Sequence, residues 1–165
     1  MSHGQDQDSG ADIGFATARG RDWPSVRQFN VFVANRVGGL LRVVRCFEAS
    51  DNRIVSLTVV DTADCAIIRL VVRDPERAAE TLAQARLPYT ESDLLVVQLP
   101  DGKQPLLEIF KALLATETNI HYAYPLLVGP HGCAAVALHV EDHETASAIL
   151  SRQNFILFTE NDLSE

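Results

Sequence analysis

The chain has 165 residues, 47% hydrophobic and 22% charged, which suits one ordinary domain or two small ones and excludes wholesale disorder. Its 14 Lys and Arg against 22 Asp and Glu leave a formal net charge of -8, which disfavours binding to nucleic acid or to anionic membranes. No apolar run approaches the roughly 20 residues of a membrane helix.

Residues 1–25 are polar, rich in Gly, Ser, Asp and Gln, and read as a flexible tail. They contain neither a basic leader nor an apolar stretch, so a cytoplasmic location is expected. Phe15 and Trp23 interrupt the polar composition; Trp23 reads as an anchor docked on the domain ahead of a mere mark of its edge. Three cysteines without a C-x-x-C spacing point to a reducing compartment. Cys65 and Cys133 sit in apolar runs and read as core thiols; Cys46 reads either as a buried helix residue or as a free thiol.

From Gln28 to Ala34 the sequence alternates around Phe29, Val31 and Val33, as a strand does. Gly39–Phe47 places Leu40, Leu41, Val43, Val44 and Phe47 at helical spacing. Ile54–Val60 and Cys65–Val72 are β-rich and joined by Asp61–Asp64, a hairpin. Asp74-Pro75-Glu76 combines an N-cap, a first-turn proline and an acid at the positive end of a helix. Tyr89–Leu94 closes the series as a strand.

The same order then recurs. Leu95–Leu99 is a strand and Pro105–Leu114 a helix; Ile120–Val128 and Cys133–Val140 are strands, Asp142 caps a second helix, and Phe155–Phe158 is a last strand. Leu40 corresponds to Leu106, Ile54 to Ile120, Cys65-Ala66 to Cys133-Ala134, Asp74 to Asp142, and Thr90–Leu94 to Thr159–Leu163. The offset slips only in turns, where insertions are tolerated. The expected fold is α+β: two ferredoxin-like βαββαβ units, residues 26–94 and 95–165, packed as an intrachain pseudo-dimer with a continuous sheet. A fully polar link between them is almost absent, since TESDLLVVQL passes directly from one unit to the next, which argues for a rigid pair.

At Asn35-Arg36-Val37-Gly38-Gly39-Leu40 the sequence resembles the ACT domain family, whose first strand is followed by Asn or Asp, x, Pro, Gly, x, Leu and then a helix. The first copy matches at Asn35, Gly38 and Leu40 and departs at Val37, where proline is usual; the second keeps Asp101 and Leu106 but has Gln104 in place of the glycine. The resemblance spans roughly 27–163 and makes the chain similar to stand-alone tandem ACT regulators that bind amino acids, and to the regulatory subunits of acetolactate synthase. It implies an amino-acid site in which Asn35, Arg36, Val37, Gly38, Gly39 and Leu40 face Asn119 and His121 of the other copy. A reciprocal site would use Asp101, Gln104 and Arg53 and, lacking the glycine, is expected to be poor or empty. Independently of the resemblance, a strand turning through glycines into a helix exposes backbone N–H groups that favour a carboxylate. Asn35 and Gly38 equally suit a plain strand-to-helix turn.

Other residue groups read as structural. His131, His139, His143 and Cys133 lack a continuous helix that would align them for a metal, and His139 and His143 are expected at the surface. Tyr122 and Tyr124 share one strand face and read as sheet packing, with a pocket wall as the alternative. Asp61 and Asp64 bound a turn and are expected in solvent. No nucleophile elbow, phosphate loop, dinucleotide fingerprint or zinc-protease motif occurs, so neither an enzymatic activity nor a cofactor is expected. An RNA-recognition domain shares the element order but needs aromatics on its central strands, which Cys65–Val72 and Cys133–Val140 lack. The expected partners are an amino acid or similar small molecule, a biosynthetic enzyme subunit, and, through open sheet edges, a second copy of the chain.

Overall fold

The computed structural model describes residues 23–165; most of the expected tail, including Phe15, lies outside the described residues. Trp23 is half-buried with its indole Nε1 shielded from solvent, and Pro24 and Ser25 are buried, so this end of the segment packs on the domain.

The first copy runs β1 (Val26–Ala34), α1 (Gly39–Glu48), β2 (Ile54–Asp61), β3 (Cys65–Val72), α2 (Pro75–Gln84) and β4 (Tyr89–Gln98). The second continues with α3 (Pro105–Leu114), β5 (Ile120–Pro125), β6 (Ala135–Val140), α4 (His143–Arg152), β7 (Leu157–Phe158) and α5 (Glu160–Leu163). The duplication is visible in the helix starts. Asp74 accepts from Arg77 N at 3.0 Å, and Asp142 accepts from Thr145 N at 3.0 Å. Both hold the same extended backbone, φ -120 and ψ 96 against φ -123 and ψ 96.

All pairings are antiparallel, and the first sheet has the order β2-β3-β1-β4. Tyr89–Leu94 and Leu95–Leu99, expected as two strands, are one strand. Val26 pairs with Leu94 and Leu95 pairs with Leu138, so β4 is the edge of the first sheet and the centre of the second, between β6 and β7. Each half therefore has the ferredoxin-like order, and the whole is a single seven-stranded sheet.

Three cores fill it. Phe29, Val31, Val43, Phe47, Ile68, Leu70, Ala78 and Leu82 pack under α1 and α2. Leu95, Val97, Ile109, Leu113, Leu138, Ala146 and Leu150 pack under α3 and α4. The third cluster takes nothing from these four helices: Val26, Val55, Val71, Leu94, Val96, Tyr124, Ala135, Ala137 and Phe158 join Leu163 of α5. The helix-free faces of the two halves thus close on each other, and the helix pairs lie outside. The expected continuous sheet is present, and it curls about the shared strand. Burial of roughly 1.5–3 kcal/mol per large apolar side chain makes that closure the natural fate of two apolar sheet faces. Hydrogen bonds fasten it: Leu127 N donates to Val55 O at 2.8 Å, and Ser56 Oγ donates to Pro125 O at 2.6 Å.

The copies diverge at their ends. The expected strand Phe155–Phe158 shrinks to Leu157–Phe158. Thr159–Leu163, matched by sequence to Thr90–Leu94 of β4, instead opens the helical turn α5. Asp162 Oδ2 accepts from Thr159 N at 2.6 Å and from Thr159 Oγ1 at 2.9 Å, a capping box that commits the segment to a helix.

Candidate functional site

The loop between β1 and α1 is shaped by one glycine. Gly38 sits in the left-handed region at φ 88, at the N-cap of α1, and contributes no side chain to cap the helix. Around it Arg36 N donates to Ala34 O at 2.8 Å, Gly39 N to Arg36 O at 3.1 Å and Arg42 N to Gly38 O at 3.0 Å. Asn35 Nδ2 donates to Asp61 Oδ1 at 2.8 Å and to Thr62 O at 3.3 Å, tying the loop to the β2–β3 turn. Asp61, expected in bulk solvent, is therefore engaged as an acceptor, although it remains exposed.

A cavity lies on each side of the loop. The larger, about 480 Å³, is bordered by Arg36, Val37, Gly38, Gly39 and Arg42 together with Pro88. The smaller, about 260 Å³, is bordered by Asn35, Arg36, Gly39, Leu40, Val59 and Asp61. Arg36 borders both; the larger adds Arg42 and the smaller adds the Asp61 carboxylate. The six loop residues singled out in the sequence are thus together.

Asn119 and His121 border neither cavity. Asn119 leads β5, and its carbonyl accepts from Glu141 N at 3.0 Å. His121 is exposed beside His139, their ring centroids 5.2 Å apart. In the reciprocal set, Gln104 caps α3 without a side-chain hydrogen bond, and Arg53 lies in an open groove beside α1 with Leu41, Val44 and Arg45.

A second group of polar residues, which sequence spacing alone does not bring together, occupies the seam between the two helix-free faces. Gln28 of β1 is fully buried; its Nε2 donates to Asn30 Oδ1 and to Tyr122 Oη, both at 2.8 Å. The Arg69 guanidinium lies 3.7 Å from the centroid of the Tyr122 ring. On β6, His139 stacks on Tyr122 at 4.8 Å and 7° and meets His143 edge-on at 6.1 Å. His139 and His143, expected at the surface, are half-buried, because β6 places the first on the seam face and His143 Nε2 bonds to Asp93 O at 2.7 Å. Burial, then His121, His143 and Arg69, hold the His139 imidazole below its ordinary pKa, opposed by Asp93. Burial likewise pushes the Tyr124 phenol far up, reinforced by Tyr122 and opposed by Arg69. Among the described residues no group of three or more His, Cys, Asp or Glu could hold a metal ion. The three cysteines are free and half-buried; Cys133 packs against the seam cluster and Cys65 opens β3.

A family model of the ACT domain pair matches residues 24–165. The chain belongs to the ACT domain pair family. Among solved structures, this ACT pair is similar to protein BT0572 from Bacteroides thetaiotaomicron, with 21% identity, 87% of this chain and 98% of that one covered, and a TM-score of 0.78. It is also similar to the ligand-free regulatory subunit of aspartate kinase from Thermus thermophilus, with 13% identity, 79% and 93% covered, and a TM-score of 0.53. At these identities the two structures speak for the fold alone. No curated protein matched by sequence. ACT domains are regulatory modules, and the matches indicate no catalytic family. Among the described residues no helix is long and apolar enough to cross a membrane.

Proposed function

We propose that this ACT pair is a non-catalytic, cytoplasmic regulator that binds an amino acid at the β1–α1 loop. The observation that carries the reading is the left-handed Gly38 at the start of α1, which leaves the first helical N–H groups without a side-chain cap beside two cavities, one with Arg42 and one with Asp61. A helix start of this kind favours a carboxylate. Arg36 and Arg42 add positive charge on the larger cavity, and Asp61, oriented by Asn35, offers a partner for an ammonium on the smaller. A zwitterion has those two ends. Bound ligand would fix the loop and shift which surface the protein presents to a partner.

Calorimetry with the standard amino acids tests this directly. Asn35→Ala should abolish binding while leaving the melting temperature nearly unchanged, because Asn35 is exposed. Unchanged affinity would remove Asn35 from the site. Asn119 and His121 complete the site only if ligand draws β5 toward the loop or a second chain supplies them. A loss of affinity in Asn119→Ala supports their participation, and an unchanged affinity confines the site to the first copy.

One observation favours a second reading, an interaction module. Leu40, Leu41 and Val44 on α1 and Leu106, Leu107 and Phe110 on α3 are exposed at corresponding places in the two copies, and Leu114 extends the second stripe. These stripes suit a second copy of the chain or the catalytic subunit of an amino-acid biosynthetic enzyme such as acetolactate synthase. Failure to co-elute with that subunit, combined with unaltered feedback inhibition in the mixture, would refute the enzyme-subunit form. Sedimentation of the chain alone tests the dimer.

A further inference from the structure

Two arginines of the sheet stand in contrasting surroundings, Arg27 on the α2 side of β1 and Arg69 at the seam. Arg27, 5% exposed, has three carboxylates around it: Glu76 at 2.8 Å, Glu160 at 3.4 Å and Glu91 at 3.9 Å. Arg69 is half-buried on β3, and among the described residues no carboxylate pairs with it. Its Nε is shielded from solvent and makes no hydrogen bond, and its guanidinium rests on the Tyr122 ring. The neighbouring His139 carries a second shielded, unpartnered atom, Nδ1. A guanidinium withdrawn from water without a counter-charge is costly, and so is an unfilled buried imidazole nitrogen. Register adds further polar atoms: Thr58 and Asn30 flank Arg69 on β2 and β1, and Asn30 Nδ2 donates to Ser92 Oγ at 2.8 Å. The group is open to solvent at His121, which is exposed.

We propose that Arg69, His139 and His121 form a second binding site, at the seam between the sheet faces, for the oxyanion group of a small metabolite. The planar guanidinium fork suits a carboxylate or a phosphate equally. An anion there would satisfy Arg69 Nε and give a protonated His139 a partner. Because Arg69 comes from the first copy and both histidines from the second, occupancy would bias how tightly the two halves close. The site is separate from the β1–α1 loop and does not depend on it.

The test uses the full chain and two probes, inorganic phosphate and succinate, each titrated at constant ionic strength while the histidine ring resonances are followed by NMR. Saturable shifts of His139 and His121 are expected with at least one probe, and the probe that works identifies the phosphate or the carboxylate chemistry. The groups facing His139 are Arg69 on β3, His121 and Tyr122 on β5, Asp93 on β4 and His143 at the start of α4; against that background, bound anion should raise the His139 titration midpoint. Arg69→Gln should weaken binding by about tenfold or more, the loss of a charge-assisted contact. Arg69→Lys, which keeps the charge but not the fork, should fall between. Asn35→Ala should bind the anion as the unsubstituted protein does, which separates this site from the loop. No saturable histidine shift with either probe, or equal affinity in a folded Arg69→Gln protein, would overturn the proposal.

Discussion

The Tyr124 hydroxyl donates to Gln28 Oε1 at 2.5 Å, joining residues 96 positions apart across the seam. Gln28 is fully buried and also serves Asn30 and Tyr122, so one amide organises the polar part of an otherwise apolar interface. Tyr124→Phe should destabilise the protein by about 1–2 kcal/mol, since it strands one buried acceptor. Gln28→Ala should cost more, because it leaves two phenols and Asn30 short of a partner and opens a void. Urea denaturation of the two variants checks the order.

Arg27 ties β1 to α2, β4 and α5, and its three acids differ in exposure. Glu160 is 12% exposed and Glu76 is 73% exposed. Glu160 Oε1 also accepts from the Arg27 backbone N–H at 3.0 Å. Glu160→Gln should therefore cost about 1–3 kcal/mol, the range of a charge-assisted bond in a shielded place. Glu76→Gln should stay within about 0.5 kcal/mol despite its shorter contact, because solvent screens it. Equal losses in thermal unfolding would contradict this assignment.

The histidine at the seam sets a pH dependence. His139 has a folded pKa below its ordinary 6.5, chiefly because it is buried, so the unfolded chain binds more protons than the folded one in that window. Its contribution to stability is complete above the unfolded pKa and is lost as pH falls through the folded one. Denaturation midpoints should accordingly decline as pH drops below about 6.5. His139→Gln should make that decline shallower, and an identical slope in the variant would exclude His139 as its source.

The repeat was legible because each copy carries the same local punctuation. Asp74-Pro75 and Asp142 stop a strand and start a helix by hydrogen bonds within three residues, which sequence spacing reveals directly. Cys65–Val72 and Pro105–Leu114 fall where the apolar period places them for the same reason. The β1–α1 loop was legible through Gly38, whose positive φ is a local requirement. The curl of the sheet was not, because it depends on which face meets which after folding. Gln28 and Asn30 carried the available signal: both are polar on the strand face opposite Phe29 and Val31, yet both are buried. A buried polar row implies polar partners on another element, but period alone does not say that Tyr122 and Tyr124 supply them. Thr159–Leu163 misled for a related reason, since its similarity to Thr90–Leu94 is real while its hydrogen bonding is its own.

Two glycines should differ in kind. Gly38 has open space around the position of a Cβ, so Gly38→Ala meets only the strain of its φ of 88, about 1 kcal/mol, and should impair ligand binding more than folding. At Gly129 a Cβ would stand 1.5 Å from the Cys133 carbonyl oxygen, so the turn between β5 and β6 must move. Gly129→Ala should therefore lower the melting temperature clearly more than Gly38→Ala does.

The central claim is that the β1–α1 loop senses an amino acid. A thermal-shift panel of the standard amino acids at millimolar concentration, run on the unsubstituted protein and on Asn35→Ala, tests it most directly. A ligand at 100-fold over its dissociation constant adds about 2.7 kcal/mol of stability. The expected result is a rise in melting temperature confined to one amino acid or a few related ones, and absent in Asn35→Ala. A flat panel, or a rise that persists unchanged in the variant, would contradict it.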